Sequence, residues 1–331
     1  MNKKNNTFKN IINVRGMNKV FMVTLGLIIL CIAFGFINPT FYSSRNISNL
    51  LRQIAPILII GFGQTFVLIT GNIDLSIGSV VGMSCMISAT LMTKGIDPIV
   101  SVLLTILICI VTGLINGVLV AAIKIPPFIA TLGTMTVARG IAQIVNNNYN
   151  TDAIGESAQG FRNLFYYGKF LGVYNGFWIS IILFVILAVI LGKTKLGRHI
   201  YAVGSNIEAA KFSGVNVVST IIIVYIISAL CSGIVGLMMT ATSGIGTMDS
   251  GTMYEMYAVA ASVIGGVSTL GGEGLLIGTV IGASIWGVLQ NGLQFAGAPV
   301  AIRNIVIGII VVASVMLDVV IRRGKSLKNK K

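Results

Sequence analysis

Residues 71–82 read GNIDLSIGSVVG, and what this stretch means decides what kind of molecule the chain makes. It sets a carboxylate, Asp74, into an apolar run spaced by glycine, where a bilayer would penalise a charge. Gly71 permits a tight turn. An Asp three residues on can cap a following helix, accepting from the backbone N–H of Ser76 or Ile77. It would also meet the positive end of the helix dipole, an effect of roughly 0.3–1 kcal/mol. The alternative is a gate or pathway carboxylate, hydrogen-bonding a permeating molecule or pairing with Arg139 or Lys124.

The rest of the chain settles the solvent. Of 331 residues, 55% are hydrophobic and 10% charged, with a mean hydropathy of +0.93. A soluble domain carries about 25% charged residues, so this chain cannot cover a globular surface and reads as an all-α, polytopic membrane protein. Apolar runs near the ~20 residues that cross a bilayer predict about ten spans, near 20–37, 54–70, 73–93, 98–122, 128–145, 177–191, 217–241, 256–270, 275–294 and 303–321. The run 256–270 is short and glycine-rich, which also suits a re-entrant segment. Lys3, Lys4, Lys9, Arg15 and Lys19 precede the first run as in a secretory signal, but that run is too long and no A-x-A site follows, so it is expected to be retained.

Sixteen of the 23 Lys and Arg fall in 1–19, Lys124, 192–216 and 322–331. The positive-inside rule makes these cytoplasmic, and an even number of crossings then puts both termini there. That gives a basic N-terminal segment 1–19, one transmembrane domain 20–321 and a basic tail 322–331. Segment 146–176 faces outward, flanked by an aromatic cluster that includes Phe161, Tyr166, Tyr167, Phe170, Tyr174 and Trp178, as at a membrane interface. On the same parity, residues 71–74 sit at a cytoplasmic turn. Nothing in this charge pattern implies nucleic acid; the lipid bilayer is the expected surroundings.

LSIGSVVGMS at 75–84 matches LLIGTVIGAS at 275–284. Each holds a G-x-x-x-G pair, Gly78 with Gly82 and Gly278 with Gly282, which lets backbones approach closely. The match fits either two converged packing faces or a duplicated bundle of the kind transporters use.

Several chemistries are excluded. No H-E-x-x-H, G-x-S-x-G or carboxylate pair is present, so an enzyme is not expected. Gly324-Lys325-Ser326 lacks the glycine a phosphate loop needs five residues earlier, where Val319 stands. Cys31, Cys85, Cys109 and Cys231 lie in apolar runs without metal or redox spacing, and His199 has no companion ligands; no metal is expected. Polar side chains within the spans, namely Asn72, Gln64, Thr65, Asn116, Thr131, Arg139 and Asn291, are candidates for a pathway lining beside Asp74.

The loop 192–216, GKTKLGRHIYAVGSNIEAAKFSGVN, carries a further signal. Ser205 and Glu208 form an S-x-x-E capping box, Ala209, Ala210 and Lys211 favour helix, and Gly214 suits the left-handed position after it. This predicts a rigid two-turn helix between two spans. Glu208, Ala209, Ala210 and Gly214 resemble the EAA-type loop of bacterial ATP-binding-cassette importer permeases. GNIDLSIGSVVG, PFIATLGTMTVARG (127–140), the loop at 197–216 and MYEMYAVAASVIGGVSTLGGEG (253–274) are together similar to the ribose-type sugar permeases, over nearly the whole chain. Glu273 departs from the small or basic residue such a segment would carry.

That resemblance implies a type II importer permease. Two permease chains, expected as a homodimer, would form the pathway, an extracytoplasmic sugar-binding protein would deliver a monosaccharide, and cytoplasmic ATP-binding subunits would dock on the loop around Glu208. ATP and Mg would sit on that partner, with no cofactor on this chain. Ribose is the first expectation, with galactose, xylose or inositol behind it. The scarcity of charge in the spans agrees with a neutral cargo. Two other readings remain from the residues alone: an ion-coupled transporter using Asp74 as coupling carboxylate, and a non-transporting scaffold.

Overall fold

The computed structural model describes residues 17–306, 308–310, 312, 313 and 316. Residues 1–16 of the expected N-terminal segment, the tail 322–331 and the end of the last expected span lie outside the described residues. The chain is a bundle built from α1 (Met17–Ile37), α2 (Ser44–Ile69), α3 (Ile77–Thr93), α4 (Pro98–Ala121), α5 (Pro127–Ile144), α6 (Asn175–Lys193), two short helices α7 (Lys195–Ser205) and α8 (Ile207–Phe212), then α9 (Val217–Ser243), α10 (Tyr254–Ile264) and α11 (Leu276–Phe295). Apart from helix, the segment 146–176 contributes one minimal hairpin, β1 (Lys169–Phe170) against β2 (Val173–Tyr174).

Local chemistry sets the helix starts. Ser43 accepts from the Asn46 N–H at α2, Asp97 accepts from Ile99 ahead of α4 with Pro98 at the first position, and Asn216 accepts from Ser219 at α9. Each satisfies an N–H that has no partner inside its helix.

Burial sorts the bundle into centre and rim. The apolar window of α2 is 89% buried and that of α9 67%, against 11% for α1 and 22% each for α4 and α6. Leu103, Leu107 and Val111 on α4, and Ile182, Val185 and Val189 on α6, form exposed apolar stripes at helical spacing. Such faces suit lipid rather than water. Six helices are long and apolar enough to cross a membrane: α1, α2, α4, α6, α9 and α11. The chain is a multi-pass membrane protein.

Of the remaining expected spans, α5 has 18 residues but carries Arg139, three threonines and two glycines. The other two differ from continuous spans in a specific way. Helix α3 has 17 residues, about 25 Å, and α10 has 11, about 16 Å. Neither crosses alone. Each is preceded by non-helical chain, 71–76 before α3 and 244–253 before α10.

The path of the first interruption follows from its partners. Helix α3 runs beside α9 in the same direction, since the Ser84 hydroxyl donates to the Gly233 carbonyl (2.7 Å) and Ser88 and Thr240 share a 2.8 Å hydrogen bond. The non-helical residues after α2 run ahead of it along the same helix: the Tyr225 hydroxyl donates to the Ile73 carbonyl (3.0 Å) and Ser228 to Asp74 (2.7 Å). Ser228 stands about 16 Å from the start of α9. Asp74 therefore sits deep in the bundle, and only the residues just after α2 make the turn, which corrects the expected turn position for the carboxylate.

The second interruption, 245–253, leads from the far end of α9 back to α3. A Cβ on Gly78 would strike the Gly251 carbonyl and the Glu255 side chain. The chain then enters α10 at its first turn, so the N-termini of α3 and α10 face each other inside the bundle.

Candidate functional site

Three neighbourhoods gather the polar groups. The first surrounds Asp74, which is 1% exposed. Its Oδ1 accepts from the Ser76 backbone N–H (2.9 Å) and the Ser76 hydroxyl (2.6 Å), while Oδ2 accepts from Ser228. Asn116 on α4 donates to the Ser76 hydroxyl (2.9 Å), and Thr134 on α5 donates to the Asn116 Oδ1 (2.6 Å). A single chain of hydrogen bonds thus ties α5, α4, the entrance of α3 and α9. Isolated burial of a carboxylate costs far more than a hydrogen bond returns, so the three donors are what make this site tolerable. They include no lysine or arginine. The expected pairing with Arg139 or Lys124 is not formed.

Arg139 is engaged elsewhere. Its Nη1 donates to the carbonyls of Met248 (2.6 Å) and Ser250 (3.0 Å), clamping the series of turns before α10. Gly82 makes room for this, since a Cβ there would lie 2.6 Å from the Ser250 carbonyl and 2.7 Å from Arg139. The sister glycines act on the opposite end of the same helix. A Cβ on Gly278 would strike the Gly265 carbonyl, and one on Gly282 the Ala261 carbonyl. Both G-x-x-x-G pairs therefore receive α10, one at its entry and one at its exit.

Most other polar candidates also find partners within the chain. Thr65 bonds the Gly61 carbonyl (2.8 Å), Ser262 (3.1 Å) and Thr279 (2.6 Å), joining α2, α10 and α11. Asn291 and Asn46 exchange reciprocal hydrogen bonds of 2.9 and 3.0 Å. Thr131 donates to the Pro127 carbonyl (2.8 Å), and Asn72 to the Thr70 hydroxyl (2.8 Å). Gln64 differs. It is fully buried on α2, and both its Oε1 and Nε2 lack a partner.

The second neighbourhood is the end of the bundle where α2 stops. The glycine-rich loop after α10 folds against α7: the Tyr201 hydroxyl donates to the Gly274 carbonyl (2.6 Å), and the Gly272 N–H to the last carbonyl of α2, Ile69 (2.8 Å). Burial raises the Tyr201 phenol above its usual range, so it stays a neutral donor. A groove of about 750 Å³ opens between α7 and this loop.

Beside the groove projects α8. Its cap is Asn206, whose Oδ1 accepts from the Ala209 N–H (2.9 Å). Ser205, expected as the cap, is instead the last residue of α7, so its own N–H belongs to that helix and the Ser205–Glu208 box does not form. Ser213 and Gly214, with φ +80°, close α8, and the Gly214 N–H bonds the Lys211 carbonyl (3.0 Å). Ala210 is buried, whereas Glu208, Ala209 and Lys211 are exposed. Ile207 is 49% and Phe212 88% exposed. Phe212 thus stands as an apolar ring at the surface of a short, doubly capped helix.

The third neighbourhood lies at the opposite end, between α2, α9, α10 and α11, where arginines and aromatic rings meet. Its residues were not among the sequence candidates. The available signal was the placing of Arg52 and Arg303, basic residues next to apolar runs and outside the four cytoplasmic clusters.

Residues 46–315 match the family described as "Branched-chain amino acid transport system / permease component". The chain is 40% identical to the ribose import permease of Bacillus subtilis (strain 168), over 89% of this chain and 91% of that protein. It is 36% identical to the galactose/methyl galactoside import permease of Escherichia coli (strain K12), over 96% and 97%, and 34% identical to the D-allose transport system permease of the same organism, over 88% and 89%. No solved structure matches it.

Proposed function

The chain belongs to the branched-chain amino acid transport system permease family, and on that premise we propose that it is the membrane subunit of an ATP-binding-cassette importer for a monosaccharide, with ribose as the first substrate to test. The observation that carries this reading is the near full-length similarity to permeases named for ribose, galactose and allose.

Both termini are assigned to the cytoplasm, with the interrupted passages through α3 and α10 counted among ten crossings. The end bearing α8 then faces the cytoplasm and the opposite end receives sugar from an extracytoplasmic binding protein. Exposed Phe212 and Ile207 support α8 as the docking element for the ATP-binding subunit. Hydrolysis happens on that partner, whose closure biases the bundle between two arrangements. Two copies of the permease form the working unit.

The interrupted passages supply the moving parts. Non-helical chain at membrane depth is tolerated only where protein or a cavity satisfies its backbone, and here Asp74, Tyr225 and Arg139 do so. Such segments change conformation at lower cost than a continuous helix, because fewer hydrogen bonds must break together.

The test is uptake of labelled D-ribose by cells that lack their own ribose importer and express this chain with its ATP-binding and sugar-binding partners. Uptake that persists with an ionophore and stops when the partner ATPase is inactivated is the expected result. Uptake abolished by the ionophore and indifferent to the ATPase would overturn the reading in favour of ion coupling.

A further inference from the structure

The far end of the bundle holds a chamber of about 390 Å³ between α2, α9, α10 and α11. That is near the lower end of the ~300–1,000 Å³ typical of small-ligand pockets. Tyr254, Tyr257 and Trp286 form one wall, with ring centroids 5.7 Å apart for the two tyrosines and 4.7 Å for Tyr257 and Trp286. The Arg52 guanidinium lies on an aromatic plate, 3.1 Å from the centroid of the Tyr174 ring.

Hydrogen-bond accounting singles this place out. Among the described residues, seven buried side-chain polar atoms have no partner, and three of them belong to residues that line this chamber: Arg52 Nε, Arg303 Nε and Trp286 Nε1. Trp286 is itself only 8% exposed. An unmet buried donor costs about 1–3 kcal/mol, so three such N–H groups on the residues of one cavity wall favour an occupant that accepts. No carboxylate lines it.

Those facts constrain the occupant. It must offer several acceptors, an apolar face for the aromatic wall and no cation. A monosaccharide has hydroxyl and ring oxygens at its edge and a C–H face that stacks on aromatic rings. An amino acid could give its carboxylate to the arginines, but its ammonium group would meet two guanidiniums and no acid.

We propose that this chamber is a monosaccharide-binding subsite within the permease, with Trp286, Arg52 and Arg303 donating to sugar hydroxyls and Tyr257 stacking on the ring. The proposal rests on the sugar-permease reading for its direction, while its chemistry comes from the chamber. It means the permease selects its cargo as well as admitting it.

The experiment uses the full chain in lipid nanodiscs, carrying Trp178→Phe so that Trp286 is the remaining tryptophan of the two. D-ribose, D-galactose and D-allose are titrated against its fluorescence, with L-leucine alongside. The expected result is a saturable change with at least one sugar and none with leucine. Arg303→Gln should weaken that affinity about tenfold, the usual cost of one hydrogen bond to a charged group. Should Arg303→Gln fold poorly, Arg303→Lys keeps the charge, loses Nε and is expected to weaken binding in the same direction. No saturable response to any sugar, or the same response to leucine, overturns the proposal even if the assembled importer transports ribose. A response that depends on Arg303 in a chain that imports no sugar would keep the chamber and overturn the transport reading instead.

Discussion

The Asp74 cluster and the far-end chamber are both buried polar sites, and they are finished to different degrees. Around Asp74 both carboxylate oxygens are used, and Ser76, Asn116 and Thr134 pass the hydrogen bonding on to neighbouring helices. In the chamber, three N–H groups wait. A completed network rigidifies, because any movement strands a group at about 1–3 kcal/mol. An incomplete one favours the arrival of a ligand. The charge that stands out most in the sequence thus has its partners within the chain, whereas the quieter arginines next to apolar runs each keep a buried Nε without one.

The hardest blow to that contrast is Asp74→Ala. It strands the Ser76 N–H and the hydroxyls of Ser76 and Ser228, and the summed cost of about 3 kcal/mol or more should lower the melting temperature and the yield of folded chain in detergent. Asp74→Asn keeps one acceptor, the carboxamide oxygen, for the Ser76 donors and turns its NH2 towards Ser228, whose hydroxyl can rotate to accept, so it should retain most of the stability. A wild-type melting temperature for Asp74→Ala would sink the scaffold role.

The glycine pairs give the next effect. Gly282→Ala drives a methyl into the Ala261 carbonyl, and Gly82→Ala drives one towards Ser250 and Arg139. Overpacking of this kind costs about 1–3 kcal/mol. Gly282→Ala should cost more, because a helical carbonyl yields less than a clamped loop. Thermal unfolding of the two variants, side by side, checks the order.

Smaller still is Asn206→Ala, which removes the α8 cap at about 1 kcal/mol. It should reduce recovery of the ATP-binding partner in affinity purification while leaving global stability nearly unchanged. Ser205→Ala should do neither, and a loss of partner with Ser205→Ala alone would restore the S-x-x-E box. Gly214→Ala places a methyl at φ +80°, a strain of about 1 kcal/mol, and should show the mildest defect in the same purification.

The contrast also marks what the sequence could reveal. Hydropathy found the helices that face lipid, because α1, α4 and α6 are apolar around most of their circumference. It joined 73–76 to α3, since IDLS carries no more polarity than a helix terminus, and only the hydroxyls of Tyr225 and Ser228 reveal non-helical chain at that depth. The α8 cap was misplaced by one residue because Ser205 and Asn206 are both competent caps, and the choice falls to where α7 ends. The chamber was illegible as a motif. Its residues come from positions 52, 254, 257, 286 and 303, on α2, α10, α11 and the segment after α11, and no spacing along the chain announces the set.

The most direct measurement sets the two regions against each other: ribose uptake by Asp74→Asn and Trp286→Phe in the same cells, with matched amounts of folded permease. The account predicts uptake within about twofold of wild type for Asp74→Asn and a loss of about tenfold for Trp286→Phe, as expected for one hydrogen bond to cargo. Uptake abolished by Asp74→Asn and untouched by Trp286→Phe would contradict it, moving the working site from the chamber to the carboxylate.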